Sequence, residues 1–336
     1  MNPGAVQNRV RYGCNELSGR KLYELEHGMN RWTWNDIPDQ QGKLVVVTGG
    51  NSGIGYEAGL ALAGKNAHVI LAVRNVEKGE NAARNIRQKY PPAQITVMAL
   101  DLSDLNNVRA FARIFLAKYN RLDVLINNAG VMALPKRQTA DGFEMQFGIN
   151  HLGHFALTGL LLSVLKATPD ARIVTVSSGA HLSGEIHFDD LQWKKTYQRW
   201  GAYSQSKLAN LLFAYELHRR LSAAGIQLIS AACHPGYAAT NLQLAGPQME
   251  GSIVSLWIMK AANILIAQGQ DMGALPTLFA AVDPNVKGCD YIGPTGMGGM
   301  RGYPEKVMSN NKSYDETLAK RLWQVSEELT GVVYSF

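Results

Sequence analysis

Tyr203 and Lys207 stand four apart in Ala202-Tyr203-Ser204-Gln205-Ser206-Lys207, at the head of a run whose apolar positions Leu208, Leu211, Leu212 and Tyr215 repeat with helical period. Residues four apart share a helix face, so phenol and ammonium point the same way. An ammonium beside a phenol favours phenolate, lowering a pKa of about 10 and making the tyrosine a usable general acid. Tyr/Lys pairs at this spacing occur on many helices, so the pair alone does not define a site. Ser204 to Lys207 also reads S-x-x-K, the nucleophile motif of penicillin-recognising enzymes, but the chain contains neither S-D-N nor K-T-G.

A second pattern suits phosphate. The β-branched run Lys43 to Thr48 leads straight into Gly49-Gly50-Asn51-Ser52-Gly53-Ile54-Gly55 and then a helical pattern. In such a turn one glycine permits positive φ and another, lacking Cβ, lets a pyrophosphate approach the backbone N–H groups. The helix N-terminus adds a favourable dipole. Gly49, Asn51, Ser52, Gly53, Ile54 and Gly55 are therefore candidate cofactor residues. Their G-x-x-x-G-x-G spacing departs from G-x-G-x-x-G, and no G-K-[ST] follows, which excludes a triphosphatase P-loop. An NAD-binding chain places an acid for the ribose 2′-OH about 20 residues further on. Here the strand His68 to Val73 ends in Arg74, whose guanidinium suits a 2′-phosphate, so NADP (NADPH) is expected over NAD. The alternative is an ordinary surface arginine.

These groups must be positioned by a fold of adequate size. The chain has 336 residues, 46% hydrophobic and 18% charged, which suits a globular enzyme and excludes a disordered one. Thirty-three Lys and Arg against 27 Asp and Glu give +6, but no block of like charge, so no nucleic-acid partner is expected. Cys14, Cys233 and Cys289 are odd in number and widely spaced, consistent with free thiols and a cytoplasmic location. Arg9, Arg11, Arg20 and Lys21 interrupt residues 1–28, which read as a tail without an export signal, followed by one domain over 29–336. Met145 to Leu165 is uncharged yet carries Gln146, Asn150, His151 and His154, so it reads as a soluble helix and not a membrane span. Peripheral membrane contact stays open.

Apolar runs recur at Ala67 to Val73, Gln94 to Leu100, Leu122 to Ile126, Ala171 to Ser177 and Ile226 to Ala232, separated by helical patterns such as Val76 to Tyr90 and Asp104 to Tyr119. This alternation predicts a doubly wound parallel α/β sheet with helices on both faces. Beyond the sixth strand, Met249 to Ala281 reads as an apolar helix. Gly288 to Gly302 packs six glycines into fifteen residues, and a helix over Tyr314 to Leu329 closes the chain.

In order along the chain, these and further motifs resemble the short-chain dehydrogenase/reductase family over residues 43–240. Its glycine motif matches Thr48 to Gly55, its adenine-side acid Asp101-Leu102, and its Asn-Asn-Ala-Gly Asn127 to Gly130. Its helix asparagine falls on Asn150, its serine on Ser178, its Tyr-x-x-x-Lys on Tyr203 and Lys207, and its Pro-Gly turn on Pro235-Gly236 with Thr240 beyond. The long interval from Ser178 to Tyr203, His181, Phe188-Asp189-Asp190-Leu191 and the segment Tyr314 to Thr330 are similar to the branch containing retinol dehydrogenases. Residues 1–28 and 288–313 depart from the pattern.

The resemblance implies a Rossmann fold and hydride transfer between C4 of a nicotinamide and a carbonyl or alcohol carbon. Tyr203 would protonate the oxygen, Ser178 orient it, Lys207 bind the nicotinamide ribose, and Asn150 hold a water relaying protons to Lys207. Asp101, Leu102, Asn128, Ala129, Gly130, Tyr203, Lys207, Pro235, Gly236 and Thr240 would join the glycine loop and Arg74 around the cofactor. No metal is expected, since His151, His154 and the His187 to Asp190 cluster lack a zinc signature. The alternative is an NADP-binding sensor without chemistry.

Ile253, Val254, Leu256, Trp257, Ile258, Met259, Ile264, Leu265 and Ile266 are interrupted only by Ser252, Ser255, Lys260, Asn263 and Gln268 among their polar neighbours. A helix so apolar around its circumference is expected to form a lid over a small hydrophobic carbonyl or alcohol substrate.

Overall fold

The computed structural model describes residues 31–237 and 268–336. The expected tail over 1–28, Thr240 and the apolar lid residues Ile253 to Ile266 lie outside the described residues. Residues 32–336 make one compact unit.

Strands β1 (Leu44–Thr48), β2 (His68–Val73), β3 (Gln94–Ala99), β4 (Val124–Asn127), β5 (Arg172–Val176) and β6 (Ile229–Cys233) fall on the predicted apolar runs. The sheet order is β3-β2-β1-β4-β5-β6-β7-β8, parallel through β7 (Tyr291–Gly296), with β8 (Arg301–Lys306) antiparallel at the edge. All five residues of β1 are buried, as a central strand covered on both faces requires.

Alternate residues serve opposite faces. Val45, Val47, Val69 and Leu71 pack under α1 (Gly53–Gly64), α2 (Val76–Lys89) and α7 (Gln270–Val282). Val46, Ile70, Leu125 and Ile173 pack under α3 (Leu105–Lys118), α4 (Gly153–Leu160), α5 (Leu162–Ala167) and α6 (Arg199–Ala223). On that second face α8 (Glu316–Thr330) buries Ala319, Leu322, Trp323 and Ser326, a spacing of i, i+3, i+4, i+7. The Trp323 ring lies 5.1 Å from Phe155 and 4.5 Å from Tyr334.

The glycine-rich stretch Gly288 to Gly302 supplies β7 and the turn of the β7–β8 hairpin, with Gly298, Gly299 and Gly302 at positive φ in or beside the turn. Pro294 facing Pro304 hides the strand pattern. The predicted helix Met249 to Ala281 does not run through Gln268. There the backbone N–H bonds Tyr237 O, Nε2 donates to Pro235 O at 2.8 Å, and Oε1 accepts from Gly302 N, so α7 begins only at Gln270.

Met145 to Leu165 is helical but not uniformly so. A short α turn (Met145–Phe147) passes into a π turn (Gly148–Leu152) before α4. A π turn widens the helix locally and shifts its carbonyls out of the ordinary ladder, and here it surrounds Asn150. No described helix is long and apolar enough to cross a membrane.

Candidate active site

The chain leaves β1 for β2 and β3, then returns to β4 on the other side of β1. This reversal opens a crevice at the strands' carboxyl ends, where open α/β sheets bind ligands. The glycine turn forms one wall. Gly49 and Gly53 have φ of +68° and +60°. A Cβ on Gly55 would come within 2.5 Å of Asn128 Nδ2 and 2.7 Å of Gly49 O. Ser52 stands at the N-cap of α1, but its side chain makes no capping bond, so the first-turn N–H groups face the crevice without a side-chain acceptor. This uncapped turn fits a pyrophosphate.

Thr48 joins this wall to β4. Its hydroxyl oxygen accepts from Asn128 N and Ala129 N, both at 2.9 Å, while Asn128 Nδ2 donates to Thr48 O at 2.9 Å. With both lone pairs engaged, the Thr48 proton goes to His154 Nε2 at 2.9 Å or Ile126 O at 3.2 Å. The first is favoured by the other side of the ring, where His154 Nδ1 lies 3.0 Å from Asn150 O. A carbonyl only accepts, so Nδ1 carries the proton and Nε2 accepts. Burial holds the His154 pKa at about 4. This histidine, noted in the sequence only as lacking a zinc signature, couples the glycine loop to the π turn. Its i+4 spacing from Asn150 was the only available signal.

Asn150 is fully buried and its amide is committed. Oδ1 accepts from Val131 N at 2.8 Å, and Nδ2 donates to Val131 O and Ser206 Oγ, each at 2.9 Å. Both amide hydrogens are therefore spent on protein, which leaves the expected water-holding role with no side-chain donor. The side chain instead fixes the loop after Asn127-Asn128-Ala129-Gly130 against α6.

Ser177 and Ser178 divide the work of the strand end. Ser177 Oγ donates to Lys207 O at 2.8 Å and is buried, whereas Ser178 Oγ accepts from Ala180 N at 3.2 Å and stands beside the Tyr203 phenol. Tyr203 is itself buried; desolvation pushes its pKa up to about 12 against the opposing pull of Ser178. The expected lowering by Lys207 is thus not what the packing gives. The ammonium lies over the phenol ring, 5.7 Å from its centre, and donates to Val176 O at 3.2 Å. Burial lowers Lys207 to about 8. A Cβ on Gly130 would meet Asn150 Oδ1 at 3.1 Å and Lys207 Nζ at 3.6 Å, so a side chain there would crowd the Asn150 amide.

The N-terminus of α6 is held by a buried network. Gln146 Oε1 accepts from Ala133 N, and its Nε2 donates to Tyr197 Oη and Arg199 O. Glu144, pushed above the usual carboxylate range by burial, accepts from Gln146 N and Phe147 N.

The remaining predicted residues line the crevice's rim or lie beyond it. Arg74 is exposed directly after β2 and forms no ion pair among the described residues. Asp101 follows β3 and accepts from Ser103 N and Oγ through one carboxylate oxygen, leaving the other for a ligand. Leu102 is buried against Gly153. Pro235 and Gly236 follow β6, with Gly236 at φ +66° beneath the β7–β8 turn. His151 bonds Ser326 Oγ at 2.8 Å, and His187 packs edge-on against Trp193.

Comparison with known proteins agrees with this geometry. The family model for short chain dehydrogenase matches residues 43–250. Human retinol dehydrogenase 11 is 44% identical over 291 residues, covering 87% of this chain and 86% of its own. Human retinol dehydrogenase 13 is 42% identical over 292 residues, covering 87% and 85%. The crystal structure of an uncharacterized protein from Mycobacterium paratuberculosis superposes with a TM-score of 0.76 at 43% identity, covering 91% of this chain and all of its own. With the ordered motifs, the doubly wound sheet and relatives of this similarity, the chain belongs to the short-chain dehydrogenase/reductase family, in its retinol dehydrogenase-like branch.

Proposed function

We propose that this oxidoreductase uses NADPH to reduce bulky hydrophobic aldehydes or ketones, retinal-like, terpenoid or lipid-derived, and oxidises the corresponding alcohols in reverse. The observation that carries the reading is the convergence of Ser178, Tyr203 and Lys207 beside the Asn150-braced loop, next to an uncapped helix N-terminus. A nicotinamide dinucleotide bound along the crevice supplies the hydride. Gly49, Asn51, Ser52, Gly53, Ile54 and Gly55 would hold its pyrophosphate, Arg74 a 2′-phosphate, Asp101 and Leu102 the adenine side, and Asn128 to Gly130, Pro235, Gly236 and Thr240 the remainder.

With its pKa at about 12, Tyr203 stays protonated at neutral pH and is ready to donate to the carbonyl oxygen as negative charge develops there. Ser178, beside the phenol, donates its hydroxyl proton to a hydrogen bond with the same oxygen and orients it. Lys207 spends one N–H on Val176 O and keeps others for the ribose hydroxyls. The asparagine carries no relay in this scheme and acts through Val131.

The substrate class rests on the names of the relatives, retinol dehydrogenases, and on the apolar run Ile253 to Ile266. A cytoplasmic location is part of the same proposal, supported by the odd number and wide spacing of Cys14, Cys233 and Cys289 in the sequence. The test follows NADPH and NADH absorbance with straight-chain aldehydes of increasing length and with retinal. At ~0.8 kcal/mol per buried CH₂, two further methylenes should raise kcat/KM about tenfold until the pocket fills. A flat series would discard the apolar pocket, and cofactor binding without any turnover would favour the sensor.

A further inference from the structure

His181 sits three residues after Ser178 on a 3-10 turn (Gly179–Ser183) and is buried. Its Nδ1 lies 2.7 Å from Ser178 O, an acceptor only, so Nδ1 carries the proton and donates. Nε2 is then free to accept, and it takes the backbone N–H of Asn310 at 3.3 Å. Asn310 closes the clamp by donating Nδ2 to His181 O at 2.8 Å. The two residues are 129 positions apart, so a segment near the carboxyl end grips the turn that carries the catalytic serine. Lys312 reinforces this grip through Gly184 O and Glu185. Tyr291 stands edge-on to the imidazole at 5.5 Å, with its hydroxyl 3.4 Å from Nδ1. Desolvation holds the His181 pKa below its ordinary value, which keeps the neutral tautomer this clamp needs.

We propose that His181 is a positioning residue of the active site: bonded to Ser178 O and locked by Asn310, it fixes the backbone from which the Ser178 hydroxyl meets Tyr203. The inference rests on the reductase reading above. Without the Nδ1 bond the Ser178 carbonyl keeps only the backbone N–H of His181 at 3.0 Å, the turn loosens from the Asn310 segment, and the serine hydroxyl loses its register with the phenol. None of the clamp's hydrogen bonds involves the glycine turn, Arg74, Lys207 or Gly236. Segment 307–314, which matches no part of the family motif, thereby acquires a role in turnover.

The test compares His181→Leu, which deletes both ring nitrogens, with His181→Asn, whose amide can still donate to Ser178 O. Misplacement of a reacting group by about 1 Å costs on the order of a hundredfold, so the leucine variant should lose about tenfold to a hundredfold in kcat while KM for NADPH stays within about twofold. The asparagine variant should recover to within about threefold of the parent kcat. A leucine variant within twofold of the parent, or an asparagine variant as slow as leucine, overturns the proposal. Should the leucine variant not fold, Asn310→Ala carries the test: kcat about threefold or more below the parent is expected, and an unchanged kcat overturns it. Nitrogen-15 imidazole spectra of the parent give a separate reading. The Nδ1–H tautomer is expected at His181, and an Nε2–H tautomer overturns the clamp whatever the activity. A parent that reduces no carbonyl removes the reductase reading instead, and leaves the tautomer result standing.

Discussion

Replacing Asn150 by alanine removes three hydrogen bonds at once, one buried and two part-buried, and the losses are unequal. Ser206 Oγ already donates to Tyr203 O at 2.7 Å, so losing the asparagine leaves it with an unused lone pair, which is cheap. Val131 loses partners for both N–H and C=O, and a donor left unsatisfied near the core costs about 1 to 3 kcal/mol. Adding about 1 kcal/mol for the second bond gives roughly 3 kcal/mol in all. At about 2 °C per kcal/mol, Tm should fall by about 6 °C in scanning calorimetry. The loop beginning at Val131 would also drift from the catalytic helix, and kcat/KM should fall about tenfold or more. Asn150→Asp distinguishes donor from acceptor: it keeps the Val131 N–H bond but sets a carboxylate against Val131 O, so it should be no better than alanine at neutral pH. Rescue by aspartate, or an alanine variant that melts within 1 °C or so of the parent, refutes the bracing argument.

Arg74→Asp should move cofactor preference toward NADH by about tenfold or more in kcat/KM, because it replaces a phosphate partner with a 2′-OH acceptor. A parent that already prefers NADH would remove Arg74 from the site. The protein should also be acid-sensitive, since burial holds His151 at about 3 and both His154 and His234 at about 4. As pH falls from about 6.5, the unfolded chain takes up protons that the folded one refuses, so each histidine removes about 1.4 kcal/mol of stability per pH unit down to its folded pKa. From these groups Tm should be level above about pH 7 and fall steeply toward pH 5; equal melting at pH 7 and pH 5 would contradict their buried neutral state.

The parts legible in the sequence were those written locally. Strand runs, the glycine turn and the Tyr203–Lys207 spacing depend on neighbours within a few residues, and each folded where its pattern placed it. Ser178 and Ser177 could be told apart only by family pattern, yet the packing separates them cleanly: one faces Lys207 O, the other the phenol. The couplings made by His154 to Thr48 and by His181 to Asn310 were not legible, because their partners lie 106 and 129 residues away and a lone histidine has no period. The tuning of Tyr203 was misjudged for a related reason. Spacing reveals the neighbouring ammonium but not the depth of burial, and burial wins. In the hairpin, glycine and proline interrupted the alternation by which strands are recognised.

The central claim, that Tyr203 delivers the proton at a nicotinamide-dependent carbonyl site, is tested most directly by Tyr203→Phe. NADPH binding by fluorescence titration and turnover of a bulky aldehyde such as retinal should be measured on the same preparations of parent and variant. Removing the hydroxyl that gives up its proton there, while Lys207 and the glycine loop remain, predicts cofactor affinity within about threefold and turnover lower by about a thousandfold. A variant that turns over within tenfold of the parent would contradict the account.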